Sequence, residues 1–314
     1  MIGVIIVSYN TSALLAACLE SLGACTLPLR IVVVDNASQD ESVLLTQTRF
    51  PTVEVCALES NRGFAAATNI GFRRLAGANE TPALSRIPFT LVLNPDTVVH
   101  PGAVETLVRF LQAHPRAGLV SPRLLNPDGT VQRAAFRFPT LAMSLLEVFP
   151  PGEVLPGRLY NSWWHGRYPQ EGQGTVPLQI DHPLGACMLV RQATVAEVGL
   201  LDEHYFMYSE EIAWCWRIRQ AGWTIWQVPQ AQVVHVGGAA TRQFRQHMLI
   251  ELHRSRVAFF QHHYPARFLA AHRAITRVGM IWASGRAWRD YARGCITRAE
   301  LCTRLWAYGE IMRL

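Results

Sequence analysis

The sequence contains no lysine, and all 29 of its basic residues are arginines among 314 residues. A phosphate-binding loop of the type G-x-x-x-x-G-K-[ST] is therefore excluded, because that loop needs its lysine. No G-x-G-x-x-G pattern follows the first predicted strand either. A phosphate group bound by this chain must therefore contact a structural feature other than these two glycine-rich loops.

Cysteine pairs and long apolar runs are also missing. The seven cysteines include no C-x-x-C pair, which indicates buried reduced thiols in a cytosolic protein. No stretch of about 18 uncharged apolar residues occurs, so no membrane span is expected. The first ten residues, MIGVIIVSYN, lack a basic region and are apolar over too short a run for a signal peptide. We therefore expect a cytoplasmic protein.

The chain is 50% hydrophobic and 17% charged, which predicts a sizeable core. Residues 1–238 carry 16 arginines and 19 acidic residues, whereas residues 239–314 carry 13 arginines and 4 acidic residues. The basic tail, 239–314, is predicted to be helical and mixes arginine with large apolar side chains. It suits helices that lie on anionic lipid at the inner face of the cell membrane. A basic helical cap packed on the rest of the protein is the alternative, and no motif predicts nucleic-acid binding.

Short β-branched runs alternate with segments of helical periodicity in the first part of the chain. Strands are predicted at 3–7, 31–34, 53–58, 89–93 and 117–122, and helices at 12–22, 63–76 and 101–114. A strand at 183–191, a helix at 209–222 and two short strands at 224–228 and 231–236 follow. Apolar strands between helices are typical of a mostly parallel sheet covered on both faces, and therefore of an α/β fold.

Residues 123–182 differ from this pattern because they are rich in proline, glycine, arginine and aromatic residues. We interpret them as a long, partly mobile insertion, and long loops in compact domains are usually functional. The expected organisation is an α/β domain over 1–238 that contains this insertion, followed by the helical tail.

Polar clusters directly follow three of the predicted strands. They are Ser8-Tyr9-Asn10, Asp35-Asn36 and Asn94-Pro95-Asp96. Ligands of open parallel sheets bind at the carboxyl ends of the strands. Each cluster alone is equally consistent with an ordinary turn, but three at one edge predict a ligand site. Asp96 is the clearest oxygen donor for a divalent cation.

Six segments occur in an order that resembles a known family. They are VIIVSYN, IVVVDNASQDES, SNRGFAAATNIGF, LVLNPDTVV, GACMLVR and GLLDEHYFMYSEEIAWCWRIRQAGW. Together they are similar to the family 2 glycosyltransferases with a GT-A fold, especially the rhamnosyltransferase-like branch. The resemblance covers residues 2–238 with a gap over the insertion.

The resemblance implies inverting transfer of a sugar from a nucleotide-sugar donor to an acceptor hydroxyl during surface glycan assembly. The donor is either dTDP-rhamnose or a UDP-hexose, and the acceptor is lipid-linked or another glycan. Asn94-Pro95-Asp96 stands at the family's D-x-D-like motif, so Asp96 is expected to bind Mg²⁺ or Mn²⁺. His235 stands where the family often has a second metal ligand, although a buried structural histidine is the alternative.

The resemblance also implies a set of donor contacts. These nucleotide-sugar-binding residues are Ser8, Tyr9, Asn10, Asp35, Asn36, Asn61, Arg62, Gly63, Asn69, Asn94 and Asp96. Tyr9 and Asp35 match positions that hold the nucleoside. Tyr9 could instead be a core aromatic residue, and Arg62 could be a surface charge.

The catalytic residues are predicted in Glu210-Glu211, where the family usually has Glu-Asp. Helical spacing places Glu211 on an apolar face with Trp214 and Glu210 on a more polar face. Burial raises the pKa of a carboxyl group toward that of a useful base, so Glu211 is the expected catalytic base. Because Glu-Glu departs from the family pattern, an inactive nucleotide-sugar-binding protein is one alternative. A nucleotidyltransferase is another.

Overall fold

The computed structural model describes residues 1–77, 87–149, 162–172, 174–237 and 244–314. The strands of these residues are β1 (Ile2–Ser8), β2 (Leu29–Asp35), β3 (Glu54–Ala57), β4 (Phe89–Leu93), β5 (Thr97–Val99), β6 (Ala117–Leu125), β7 (Val131–Gln132), β8 (Ala135–Phe136), β9 (Leu178–Ile180), β10 (His182–Pro183), β11 (Cys187–Arg191) and β12 (Thr224–His235). The helices are α1 (Ser12–Leu22), α2 (Ser42–Arg49), α3 (Gly63–Ala76), α4 (Ala103–Ala113), α5 (Leu141–Val148), α6 (Gln192–Val198), α7 (Glu210–Gln220), α8 (Arg245–His263), α9 (Ala266–Ala292) and α10 (Arg298–Arg313).

One mixed sheet contains ten of the strands found in the described residues. Its order is β3-β2-β1-β4-β11-β6-β12-β5, with β7 beside β6 and β9 beside β12. Strands β1 to β4 are parallel to one another, and β6 is parallel to β12. β11 runs antiparallel between β4 and β6. The predicted α/β fold with a mostly parallel sheet is confirmed.

Burial on both faces explains why β1 is a continuous apolar run, since all seven of its residues are buried. Val4 and Ile6 belong to a core cluster that also contains residues of α1 and α4. Ile5 alternates to the opposite face, where α3 packs. A Cβ atom at Gly71 of α3 would lie 2.4 Å from Ile5 Cγ2, so glycine allows this close approach.

Several predicted elements differ from those observed. The two short strands at 224–228 and 231–236 are one strand, β12, whose pairing with β6 shifts register between Val228 and Gln232. The helix predicted from 101 begins at Ala103, because Gly102 before it adopts a left-handed conformation with φ of 78°. Sequence patterns do not predict β5, α2 or α6. These elements have only three, eight and seven residues, so their periodicity is weak.

The chain divides into two compact units. The sheet unit comprises Met1–Arg137, Gln170–Phe206 and Glu210–Ala240. The helical unit comprises Phe138–Pro169, Met207–Ser209 and Thr241–Leu314, so it combines part of the predicted insertion with the tail. The predicted boundary at 238 lies outside the described residues. In the chain segments that the structure covers, no helix is both long and apolar enough to cross a bilayer.

Candidate functional site

The three polar clusters lie at one edge of the sheet, where β1, β2 and β4 end. Ser8 at the end of β1 pairs in register with Asp35 at the end of β2. Ile6 of β1 pairs with Leu93 of β4, the residue before Asn94. Parallel strands therefore bring together residues that are far apart in the sequence, as their positions at strand ends predict.

The loops after β1 and β2 are tied together through Ser38. The Asp35 carboxylate accepts hydrogen bonds from the Ser38 N–H at 2.8 Å and from the Ser38 hydroxyl at 2.6 Å. Ser38 Oγ in turn accepts a bond from the Asn10 N–H at 2.9 Å, and Asn10 Oδ1 accepts one from the Gln39 N–H at 2.7 Å. Asp35 is thereby held rigidly, and each of its oxygens can still accept a second hydrogen bond.

Ser8 and Tyr9 occupy different environments at this edge. Ser8 is fully buried, and its hydroxyl lies 3.1 Å from the Thr11 hydroxyl. Tyr9 and Asn10 are partly exposed. Tyr9 and Asn10 can therefore reach a ligand from the protein surface, whereas Ser8 contributes through the backbone that positions them.

Asn36 connects the end of β2 with the start of α3. Its Oδ1 accepts a hydrogen bond from the Arg62 N–H at 2.8 Å, and its Nδ2 donates to the Gly63 carbonyl at 3.2 Å. Asn61 Oδ1 accepts a bond from the Gly63 N–H at 3.0 Å. Asn61 and Arg62 are exposed beside this linked backbone. Of the residues at the start of α3, these two present side chains to solvent.

Gly63 is required by the close approach of another loop. Its φ is 81°, and a Cβ atom there would lie 2.2 Å from the Phe206 carbonyl oxygen. The Phe64 N–H donates to that same oxygen at 2.8 Å. Gly63 therefore holds the segment before α7 against the first turn of α3, which no other residue type could do without moving the backbone.

Asn69 performs a structural task in α3. Its Nδ2 donates to the Leu201 carbonyl and to Glu203 Oε1, both at 2.9 Å, and its Oδ1 accepts from the Leu201 N–H at 3.1 Å. Asn69 is buried, and its amide is engaged by protein groups. The structure therefore gives Asn69 the role of holding the 201–203 segment, and its predicted contact with the donor stays a prediction.

Asp96 and His235 meet although they are 139 positions apart. The short strand β5 pairs antiparallel with the end of β12, and Thr97 stands opposite His235. His235 Nε2 lies 3.4 Å from Asp96 Oδ1, and both side chains are buried. The Gly237 N–H donates to Asp96 Oδ2 at 3.1 Å. The Asn94 main chain is anchored as well, because its N–H donates to the Ala186 carbonyl at 2.8 Å.

Gln132 of β7 orients the His235 ring. Gln132 Nε2 donates to the carbonyls of His235 and of the Asn126 side chain, at 3.2 and 3.1 Å. Its Oε1 lies 2.7 Å from His235 Nδ1 and can only accept, so Nδ1 carries the proton. Nε2 is thereby left beside Asp96, where it donates to the carboxylate when the ring is protonated and is the nitrogen that would bind a metal when the ring is neutral.

The partners of Asp96 lower its pKa. Burial alone raises the pKa of this carboxyl group, but the hydrogen bond and charge of His235 and the backbone N–H of Gly237 act in the opposite direction. The net result is a pKa below the usual aspartate value, so Asp96 is ionised at neutral pH. An ionised carboxylate beside an imidazole nitrogen is a donor pair suited to Mg²⁺ or Mn²⁺.

Glu210 and Glu211 begin α7, and their surroundings differ from those predicted. Glu210 is buried, whereas Glu211 is only partly buried. The expected polar face of α7 is absent because α7 contacts α6 and both β10 and β12. Ala213, next to Glu210 on the helix surface, is consequently 2% exposed. The Glu211 side chain lies against the backbone of Gly185, whose added Cβ atom would be 3.6 Å from Glu211 Cγ.

Both glutamate carboxyl groups have raised pKa values. Burial raises the pKa of Glu210 well above its usual value, and the charge of Glu211 adds to this effect. Burial also raises the pKa of Glu211, to about 7. Oε2 of each glutamate is buried without a hydrogen-bond partner among the described residues. Glu211 thus combines partial access with a pKa near neutrality, the properties of a general base.

Sequence reasoning missed Gln132 and Gly185. Gln132 lies in the predicted insertion, and no spacing or motif relates it to His235. Gly185 lies inside the strand predicted at 183–191 and in the GACMLVR segment of the resemblance. A signal for Gly185 is available in principle, because a glycine inside a strand pattern indicates a close backbone approach.

Comparisons with known proteins agree with the motifs. The family model described as Glycosyl transferase family 2 matches residues 3–199. An N-acetylglucosaminyl-diphospho-decaprenol L-rhamnosyltransferase of Mycobacterium tuberculosis is 30% identical over 261 residues, which are 82% of each chain. A low-salt glycan biosynthesis hexosyltransferase of Haloferax volcanii is 28% identical over 204 residues, which are 65% of this chain and 58% of that protein.

Solved structures share the fold at low sequence identity. A mannosyltransferase from Pyrobaculum calidifontis in complex with GDP-Man and Mn²⁺ has a TM-score of 0.55 and 15% identity, over 99% of this chain and 84% of that one. GalNAc-T7 with UDP, GalNAc and Mn²⁺ has a TM-score of 0.53 and 17% identity, over 81% of this chain and 47% of that one. The predicted GT-A fold is thereby confirmed. The chain belongs to glycosyl transferase family 2, in its rhamnosyltransferase-like branch.

Proposed function

We propose that this glycosyltransferase moves a sugar from a nucleotide donor to an acceptor hydroxyl with inversion and with the help of a divalent cation. The observation that carries the proposal is the presence of two kinds of buried carboxylate in the sheet unit. Asp96 has a lowered pKa and an imidazole partner, whereas Glu211 has a raised pKa and an unpartnered oxygen. One is suited to hold a cation and the other to accept a proton.

Dedicated groups on this chain would hold the cation. Asp96 Oδ1 and His235 Nε2 are 3.4 Å apart, so both atoms could bind one cation when the His235 ring is neutral. This pair fits Mg²⁺ or Mn²⁺, and the nitrogen ligand makes Mn²⁺ as suitable as Mg²⁺. A bound cation would neutralise the charge that develops on the diphosphate leaving group.

Residues at the strand ends would bind the donor. We assign the nucleoside to Tyr9 and Asp35, since a tyrosine ring can stack on a base and a rigid carboxylate can accept hydrogen bonds from it. Arg62 is exposed beside the same edge and can pair with a phosphate. Asn10, Asn61 and Asn94 are the remaining exposed or partly exposed residues of the predicted donor site.

The acceptor hydroxyl would lose its proton to Glu211 as its oxygen attacks the anomeric carbon. A base is most effective when its pKa is close to the working pH, and burial brings the pKa of Glu211 to about 7. Glu210 is buried more completely than Glu211, so we assign it a supporting role. The Glu211 side chain is in ordinary van der Waals range of Gly185, just before β11.

The named relatives suggest the sugar and the acceptor. The mycobacterial relative is named for L-rhamnosyl transfer to an N-acetylglucosaminyl-diphospho lipid. A relative from Escherichia coli, 24% identical over 257 residues, is also named as a rhamnosyltransferase. We therefore propose dTDP-rhamnose as the donor and a lipid-linked glycan as the acceptor, with a UDP-hexose as the alternative donor. A lipid-linked acceptor and the basic tail together support peripheral attachment to the inner face of the cell membrane.

Thermal unfolding in the presence of nucleotide sugars tests the donor site. We expect dTDP-rhamnose with Mn²⁺ to raise the Tm, because a ligand that binds only the folded state stabilises it in proportion to the logarithm of its concentration over Kd. Asp96→Ala should lose the cation-dependent part of this shift. Asp290→Ala, a partly exposed aspartate of α9, is the matched control. Equal cation-dependent shifts in both variants would reject Asp96 as a ligand.

An inactive sugar-nucleotide-binding protein is the second candidate function, because Glu211 replaces the usual aspartate. Transfer of labelled sugar to a lipid-linked acceptor separates the two functions. A wild-type chain that binds the donor with Mn²⁺ but transfers no sugar to any acceptor tested would favour the inactive protein.

A further inference from the structure

The longest helix of the helical unit, α9, exposes apolar side chains along its outer face. Val278, Ile281 and Trp288 are 57%, 64% and 55% exposed. Side chains of this size are rarely left exposed together unless the surface meets an apolar partner. The outer face of α9 therefore differs from the polar outer face of an ordinary surface helix.

The exposed apolar residues recur at intervals of three or four and form one line along α9. We call this line the α9 stripe; its members are Ala270, Ala274, Val278, Ile281, Gly285 and Trp288. The opposite side of the helix is buried within the helical unit, where α9 contacts α5 and α10. A Cβ atom at Gly279 on that side would overlap Val148 of α5. The helix α9 is therefore apolar on two sides, and packing inside its own unit buries only one of them.

Arginines border the α9 stripe. At 100° per residue, Arg273 and Arg277 lie along one side of the stripe and Arg289 lies along the other, with Arg293 directly after the end of the helix. The only acidic residue of α9 is Asp290, which already lies 3.7 Å from Arg289 Nε. The surface thus combines an apolar centre with borders of one charge sign.

We propose that the α9 stripe is a membrane-docking surface that lies in the headgroup region of an anionic bilayer. A second copy of the chain is a poorer occupant, because pairing two such stripes would place arginine borders against each other. Anionic headgroups would neutralise these arginines, and Trp288 suits the boundary between headgroups and hydrocarbon. A 27-residue helix is about 40 Å long, and its arginines keep it parallel to the surface. This inference deepens the membrane location proposed above and rests on it.

Vesicle flotation with charge-introducing variants tests the apolar centre. We expect the wild-type chain to float with vesicles that contain phosphatidylglycerol. Ile281→Glu should bind about tenfold more weakly or worse, because burial of an isoleucine side chain is lost. Leu44→Glu is the matched control, since Leu44 is 61% exposed on α2 of the sheet unit. Trp288→Glu should repeat the effect, and both stripe variants should unfold at the wild-type temperature because these side chains are exposed.

Neutral vesicles and arginine variants test the charged borders. Binding should fall strongly on vesicles of phosphatidylcholine alone. Arg277→Gln and Arg289→Gln should each weaken binding to anionic vesicles about fivefold, whereas Arg109→Gln on α4 should not. Added salt should reduce these differences, because headgroup attraction is screened over about 10 Å at 0.1 M.

The results can overturn the inference independently of the enzyme's activity. Equal flotation of Ile281→Glu and Leu44→Glu would reject the α9 stripe as the docking surface. A second result would also reject it: the wild-type chain sediments as a dimer, and Ile281→Glu sediments as a monomer but still binds vesicles as well as the wild type. Transfer to a water-soluble acceptor is measured in parallel. The stripe variants should retain this transfer activity fully. A wild-type chain that binds vesicles but transfers no sugar would contradict the proposed function and leave the docking surface intact.

Discussion

The pKa values of two groups of carboxylates in the sheet unit are shifted in opposite directions. Asp96 lies at the end of β4 and has a lowered pKa, whereas Glu210 and Glu211 at the start of α7 have raised pKa values. Burial acts in the same direction on all three. The difference comes from partners, because His235 and the Gly237 N–H favour the charged form of Asp96. Oε2 of each glutamate has no such partner within the described chain.

This comparison separates two chemical roles and two effects on stability. A lowered pKa means that Asp96 stabilises the fold above its unfolded-state pKa, and this contribution is lost as the pH falls. A raised pKa means the reverse for Glu210 and Glu211, whose ionisation in the unfolded state destabilises the fold as the pH rises. The glutamates are therefore tolerated at a cost to stability, which supports a functional reason for their presence.

The largest expected effect is that of Glu211→Gln. The amide keeps the shape of the side chain but cannot accept a proton, so turnover should fall about 10²–10⁴-fold. Donor affinity should change little. Glu41→Gln, an exposed glutamate before α2, is the control. Turnover is measured with saturating donor and acceptor. If Glu210→Gln is the inactive variant and Glu211→Gln turns over normally, the two roles are reversed.

The pH dependence of turnover should follow the proton on Glu211. Because the base must be deprotonated, turnover should rise about tenfold per pH unit below its pKa and level off above about 7. From pH 5 to the plateau this amounts to about 100-fold. Donor binding is measured at each pH to separate loss of the cation from loss of the base. A profile that stays flat while donor binding is constant would contradict the assignment.

Gln132→Leu should weaken cation binding, although Gln132 is not one of the proposed cation ligands. The variant removes the acceptor that fixes the His235 ring, and such supporting partners are worth about 10–100-fold in metal affinity. Mn²⁺ titration monitored by protein stability measures the effect. Gln179→Leu on β9, which is exposed, is the matched control. An unchanged Mn²⁺ affinity would mean that His235 does not bind the cation.

The smallest expected effect concerns stability. In the wild-type chain, burial raises the pKa of Glu210 in the folded state above that of an unfolded-state glutamate, so the free energy of unfolding should fall as the pH rises above the unfolded-state pKa. Glu210→Gln should show a shallower slope. Denaturant unfolding at pH 5, 6 and 7 measures both chains. Parallel slopes would show that Glu210 titrates as an exposed glutamate does.

The strand-end positions were predictable because they depend on local patterns. Continuous apolar runs identified β1, β2 and β4, and polar residues directly after them identified the ligand edge. The meeting of Asp96 with His235 was suggested by the family resemblance alone. Its physical cause is β5, a three-residue strand too short for any periodicity to reveal. Sequence patterns also did not reveal that Asn69 holds the 201–203 segment, because this contact joins residues 132 positions apart.

The faces of α7 could not be derived from helical spacing. Helical spacing predicts which side chains share a face of the helix. It does not predict how many of those faces are buried by neighbouring elements. Contacts with α6 on one side and with β10 and β12 on another bury the face of Glu210 that the sequence indicated as polar. The preference for Glu211 as the base now rests on its partial exposure and its pKa, not on an apolar face.

By itself, the sequence determined the α/β alternation, the family, the residues at the strand ends and the basic composition of the tail. These features depend on residue types and on short-range order along the chain. Tertiary structure alone decided which carboxylates have partners, how the His235 ring is oriented and which face of α9 is left exposed. These depend on contacts between distant segments, and the energy of a buried charge is set by the groups that surround it in space.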